Sequence, residues 1–335
     1  MPLGFYLQTP THRGDERGSR VHLAPEYSGY DVPMLEIFID VVLPVFLMAG
    51  AGAAVRAFRK ISVEPISYVT LYIFSPCLAF HSLANTTLPG EELVKIGLFA
   101  VVLAMATYIL SKVAARGMKL DRETTSAFLL TSLFMNSGNY GLPVALFAFG
   151  QEGLDRALVF FVAQFALAGT LAVFIASSSQ HSLKGSLISV MRVPLIYASV
   201  AGVGVNVLAI DLPLLVGGPI RILGNAAVPS MLIVLGLQLA EPFALGRPIV
   251  LVATCFIRLV VAGGIAYAVT LVFGFGDVTQ KVLIVIASMP TAVLTIIVAT
   301  EFRVRPNFVT SAVVVSTLAS LFTLTMILSL IDRFL

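Results

Sequence analysis

From residue 34 onward the chain alternates long apolar runs with short polar breaks. Ten runs each provide the ~20 residues that a membrane-spanning helix needs. They cover approximately 35–57, 65–86, 93–115, 123–149, 153–177, 188–209, 213–240, 248–274, 278–301 and 307–331. Two are interrupted near their middle. In the fourth, Asn136-Ser137-Gly138-Asn139-Tyr140-Gly141-Leu142-Pro143 parts one apolar half from the next, and in the ninth Ser288-Met289-Pro290-Thr291 does the same. Proline removes a backbone donor and clashes with the preceding turn, while glycine accepts angles a helix does not use. Each break therefore reads as a helix that stops, unwinds and restarts. Unwound backbone at membrane depth is tolerated only where it is buried in protein or lines a wet cavity. The plainer alternative is a kink, because Gly and Pro are more frequent in membrane helices than in soluble ones.

The prolines expose an internal repeat. Pro44 and Pro194 lie 150 residues apart, Pro76 and Pro229 lie 153 apart, as do Pro89 and Pro242, and Pro143 and Pro290 lie 147 apart. The order is the same and the offset nearly constant, so helices 1–5 match helices 6–10. Five helices is an odd number, and the second copy must enter the membrane from the opposite side. The fold class expected is an all-α polytopic membrane protein of ten transmembrane helices in two inverted five-helix repeats. Helices 4 and 9 are then broken and cross near the midplane, an architecture common among secondary transporters. The expected divisions are a disordered N-terminal extension over 1–33, a first repeat over 34–177, a linker over 178–189 and a second repeat over 190–335.

Composition agrees with a membrane protein. Of 335 residues 58% are hydrophobic and 12% charged, against about 25% charged in a typical soluble domain. The net charge of +3 does not point to nucleic acid, because the basic residues sit in short loops and form no patch. Cys77 and Cys255 lie inside apolar runs and the four histidines lack ligand spacing, so neither a metal nor a cofactor is expected. Loops after helices 1, 3, 5, 7 and 9 hold twelve Lys and Arg, against five on the other side with the C-terminus. By the positive-inside rule the first set is cytoplasmic, which puts both termini outside a cell (inner) membrane.

By pseudo-symmetry the two breaks should meet. Proline favours the first turn of a helix, so Pro143 and Pro290 are expected to open the second half-helices. Two such N-termini present unpaired N–H groups and positive dipole ends, which together make an anion receptor without a buried cation. Asn136, Asn139, Ser288 and Thr291 supply side-chain donors and acceptors. Gly138, Tyr140, Gly141 and Met289 complete the two links, and the unwound carbonyls of 136–141 add acceptors. Arg258, within helix 8, is the only basic residue well inside a span. It is read three ways: as an anion contact, as a structural pair or as a snorkelling side chain. Gln164, Asn206, Asn225 and Gln238 read as helix–helix hydrogen-bonding residues. No Asp or Glu sits at the centre of a run, so a buried-carboxylate proton relay has no support.

The octet Asn136–Pro143 resembles the signature of the auxin efflux carrier family. Val42-Leu43-Pro44, Pro76 and Met289-Pro290-Thr291 fit the same pattern, and the resemblance covers residues 34–335. It implies a scaffold of helices 1, 2, 6 and 7 against which helices 3–5 and 8–10 move. It further implies a secondary transporter of small organic anions, such as dicarboxylates or auxin-like carboxylates, working by alternating access around the Pro143/Pro290 crossover. The short loop after helix 5 favours a bacterial permease over the plant carriers. The partners implied are the small organic anion and the lipid bilayer; pairing into a homodimer is left open. The rival is a sodium-coupled symporter of larger organic anions, similar to bile-acid symporters. A membrane enzyme would need an acid, base or nucleophile constellation that the sequence lacks.

Overall fold

The computed structural model describes residues 33–59, 61–176, 193–243 and 246–335. The extension expected over 1–33 (Pro33 apart) and the linker expected over 178–189 lie outside the described residues. Within them every regular element is helical. The helices are α1 Met34–Arg59, α2 Glu64–Ala84, α3 Gly90–Gly117, α4 Arg122–Leu133, α5 Ser137–Ala176, α6 Pro194–Val207, α7 Leu214–Leu239, α8 Pro248–Phe273, α9 Asp277–Ala287, α10 Leu294–Glu301 and α11 Pro306–Phe334. Seven of them, α1, α2, α3, α5, α7, α8 and α11, are long and apolar enough to cross a membrane. Differences from the expected ten runs have local causes. The fourth and fifth runs join in α5, whose one non-helical residue is Gly150 at φ 63°. The ninth run is divided into α9 and α10 by its break, and α6 holds only the 14 residues that follow Val193.

Four single π turns interrupt the helices, at Phe38–Val42, Thr70–Phe74, Ser137–Gly141 and Ile257–Val261. Such turns insert one extra residue and recur at functional sites. Two of them flank the crossover.

The two breaks meet directly. Met135 and Thr291 form an isolated antiparallel bridge. The Asn136 N–H donates to the Pro290 carbonyl at 2.7 Å, and the Ala292 N–H to the Phe134 carbonyl at 2.8 Å. Each unwound strand thus supplies backbone partners to the other, which removes the penalty of bare amides in an apolar setting. The prolines do not open the second half-helices. α5 begins at Ser137, six residues before Pro143, with its first bond from the Gly141 N–H to the Asn136 carbonyl at 2.9 Å. Pro290 lies in the link itself, four residues ahead of α10. The restart is set by the bridge and the π turn, so proline's preference for the first helical turn is overridden by tertiary bonds.

Two apolar cores lie on either side of the crossover. One includes Tyr140, Leu142 and Val144 of α5 with Val282, Leu283 and Ile286 of α9; the other includes Phe128, Leu130 and Leu133 of α4 with Val298 and Ala299 of α10. Each broken pair therefore anchors one half in each core.

α1 and α7 pack with their backbones close, as small residues permit between membrane helices. A Cβ built on Gly236 would stand 1.7 Å from the Ala49 carbonyl oxygen, whereas one built on Gly50 meets nothing within 4 Å. Gly236→Val is expected to lower the melting temperature of purified protein by several degrees or to block folding, since overpacking costs ~1–3 kcal/mol. Gly50→Ala is expected to leave it unchanged.

Asp121 ties three helix starts together on one face. It caps α4 by accepting from the Thr124 N–H at 2.9 Å, pairs with Arg247 at 3.0 Å ahead of α8, and with Arg305 at 3.6 Å ahead of α11. The Thr124 bonds, with help from Arg247, hold its carboxyl well below the usual carboxylate range. A depressed carboxylate stabilises the fold above its unfolded pKa and loses that contribution as pH falls through the folded value. The side chain is 45% exposed, so solvent screening keeps this contribution small.

Candidate functional site

A cavity of about 180 Å³ opens beside the crossover. The unwound link and the start of α5, from Phe134 to Asn139, line it together with Ala292–Leu294 and Ile297 of the other break and α10. α2 contributes Ser67, Thr70, Leu71 and Ser75; the second limb of α5 contributes Phe161, Gln164, Phe165 and Ala168; α7 contributes Met231 and Gln238. Among the described residues no charged side chain lines it.

The first residues of both restarted half-helices line this space. Gly138 and Asn139 precede the first intrahelical bond of α5, and Val293 and Leu294 occupy the equivalent place in α10, whose first turns are closed by Thr295 to Ala292 at 3.1 Å and Ile296 to Val293 at 2.9 Å. Two positive dipole ends therefore lie beside one volume of low polarity, a setting that strengthens the pull of such ends on an anion.

The link is held in shape from behind. Gln164 donates from Nε2 to the Met135 carbonyl at 3.0 Å and accepts from the Ser137 hydroxyl. The Thr291 hydroxyl donates to the Thr131 carbonyl at 2.9 Å, and its N–H to Ser316 Oγ at 3.1 Å. Tyr140 is fully buried, accepts from Ser320 at 3.0 Å and sets its ring edge-on to Phe46 at 5.8 Å. Ser288 Oγ bonds back to the Ile284 carbonyl at 2.8 Å. A Cβ on Gly263 of α8 would stand 2.2 Å from that Oγ, so only glycine lets α8 approach the break this closely.

Arg258 is fully buried and does not face the cavity. Its Nη1 donates to the carbonyls of Ser132 at 2.9 Å and Leu133 at 3.0 Å, and its Nη2 to the carbonyl of Ala287. Those three carbonyls end α4 and α9. One guanidinium therefore caps the negative ends of both leading half-helices at once, supplying acceptors' partners that the breaks removed.

Of the residues singled out from sequence, Asn136, Gly138 and Asn139 line the cavity. Tyr140, Gly141, Pro143, Ser288, Met289, Pro290, Thr291 and Arg258 are buried in the packing around it. Asn136 is 5% exposed, and its Nδ2 has no hydrogen-bond partner. The sequence reading passed over Ser137, Ser67 and Thr70 as site residues. It took Gln164 and Gln238 for helix–helix contacts, a description that the Gln164 bonds fit, although both side chains also line the cavity. Their signal was present: each is a polar residue inside an apolar run.

Comparison with known proteins shows the family. The family model described as "Membrane transport protein" matches residues 37–187 and 181–328. An "Uncharacterized transporter" of Methanothermobacter thermautotrophicus is 28% identical over 292 residues, 85% of this chain and 95% of that protein. A second "Uncharacterized transporter", from Methanocaldococcus jannaschii, is 24% identical, covering 84% of this chain and 95% of its own. A "Putative malonate transporter" of Rhizobium meliloti is 25% identical over 78% of this chain and 84% of its own. The chain is a multi-pass membrane protein and belongs to the membrane transport protein family, that of the auxin efflux carriers.

Proposed function

We propose that the protein is a secondary transporter of small organic anions, and that the anion sits in the crossover cavity against the N-termini of α5 and α10. The observation that carries this is the meeting of two half-helix starts at one cavity in whose lining, among the described residues, there is no charged side chain. A side-chain cation would hold a carboxylate tightly and slow its release; backbone dipoles attract it without a full buried charge. The volume favours a small occupant. About 180 Å³ is close to the ~150 Å³ cavity that holds one benzene molecule, which suits a short mono- or dicarboxylate and not a bile-acid-sized anion. The name of the Rhizobium meliloti relative, with malonate in it, points to the same size class.

On this reading the chain has ten spanning helices in two inverted repeats in the cell membrane, with both termini outside. α1, α2, α6 and α7 form a scaffold past which the other helices move. The Ser82 hydroxyl of α2 donates to Asp155 of α5 across that boundary, a polar contact that a sliding motion must break. In proteoliposomes loaded with unlabelled malonate, labelled malonate is expected to accumulate transiently by counterflow. Absence of counterflow for every short mono- and dicarboxylate would remove the proposal.

A further inference from the structure

Two kinds of unmatched polar atom belong to residues that line the cavity. On the crossover wall the unpartnered group is a donor, Asn136 Nδ2, beside the helix N-termini. On the wall built by α2 and α7 it is an acceptor, Gln238 Oε1, together with the hydroxyl of Ser67. Ser67 and Gln238 border the same small apolar cluster, Val63, Ile66, Val234 and Leu237, which packs the start of α2 on the end of α7. Buried polar atoms are nearly always paired, and an unmatched one is costly.

A carboxylate satisfies the first wall and not the second. Facing Gln238 Oε1 it would set acceptor against acceptor. An ammonium would suit an acceptor, but among the described residues no Asp or Glu lines the cavity to offset its burial. The group that remains is a neutral donor. We infer that the transported anion carries, one end from its carboxylate, a hydroxyl or an un-ionised carboxyl that donates to Gln238 with Ser67 as second partner. This rests on the anion reading above and narrows it to hydroxy acids and singly ionised diacids. Gln238 and Ser67 become specificity-determining residues on the scaffold side, while Asn136 and the helix ends hold the charge.

A matched pair of ligands tests it. Propionate and 3-hydroxypropionate differ by one hydroxyl, and their affinities are measured by calorimetry on the purified protein at pH 7. The hydroxy acid is expected to bind roughly ten- to a hundredfold more tightly, because a site built for a hydroxyl rejects the analogue lacking it. In Gln238→Met, of similar volume, the gap is expected to close, and Ser67→Ala narrows it. Equal affinities in wild type overturn the inference, as does a gap that survives in folded Gln238→Met. Should that variant not fold, the wild-type pair alone decides. If wild type binds neither acid nor malonate, the anion reading itself falls and this inference with it. Binding of both acids without discrimination overturns only the inference.

Discussion

Arg258→Met is expected to destabilise the protein more than any other side-chain replacement at the crossover. The guanidinium is fully buried; its Nη1 and Nη2 donate to the Ser132, Leu133 and Ala287 carbonyls, while its Nε has no partner. Removing it orphans three acceptors at the ends of α4 and α9, at ~1–3 kcal/mol each. Eliminating a buried charge returns part of that. A net loss of several kcal/mol lowers the melting temperature by about 10 °C or more. Arg258→Lys is expected to recover only part, since one ammonium cannot reproduce a planar fork reaching two helix ends. Measurement of melting temperature and carboxylate affinity on the same variants separates the roles. A side chain that contacts substrate would lose affinity at unchanged stability, whereas the capping role predicts the reverse order of effects.

This role could not be read from the sequence, although the residue could. A lone arginine in an apolar run is conspicuous, but its partners are carbonyls 125 and 126 residues away on α4 and 29 residues away on α9. Backbone acceptors leave no mark in composition. The breaks themselves were legible because Asn136–Pro143 and Ser288–Thr291 place helix-breaking residues within apolar runs. That they meet followed from the matched proline spacing, and the Met135–Thr291 bridge shows them in contact. Where each helix restarts was not legible. Proline at a first turn is a general tendency, while the restart at Ser137 depends on bonds to Pro290 in the other break, to Gln164 further along α5, and from Ser320 of α11. The polar wall of Ser67 and Gln238 was missed for a related reason. Two polar residues on separate helices acquire a common purpose only once the helices are packed.

The second large effect is expected at Asn136. Its backbone is fixed by bonds to Pro290 and Gly141, its side-chain Nδ2 has no partner, and the residue lines the cavity. Asn136→Ala therefore leaves the crossover intact and removes a donor from the anion's side. At ~1–3 kcal/mol for the lost partner, carboxylate affinity is expected to fall roughly five- to a hundredfold with little change in melting temperature. Pro143→Ala is expected to be mild by comparison. Since α5 already starts at Ser137, the restored N–H adds a donor inside an existing helix and does not close the break. Affinity in Asn136→Ala equal to wild type, or a turnover collapse in Pro143→Ala, would show that the restart at Ser137 has been given the wrong part.

The most direct measurement is the position of a bound carboxylate in an experimentally determined structure of the purified protein saturated with malonate or 3-hydroxypropionate. The expected result places the carboxylate between Asn136, the N–H groups of Gly138 and Asn139, and those of Val293 and Leu294, with Arg258 still on its three carbonyls. Ligand density beside Arg258, or in the separate pocket lined by His81, Asn206 and Arg221 with the crossover cavity empty, would contradict the account.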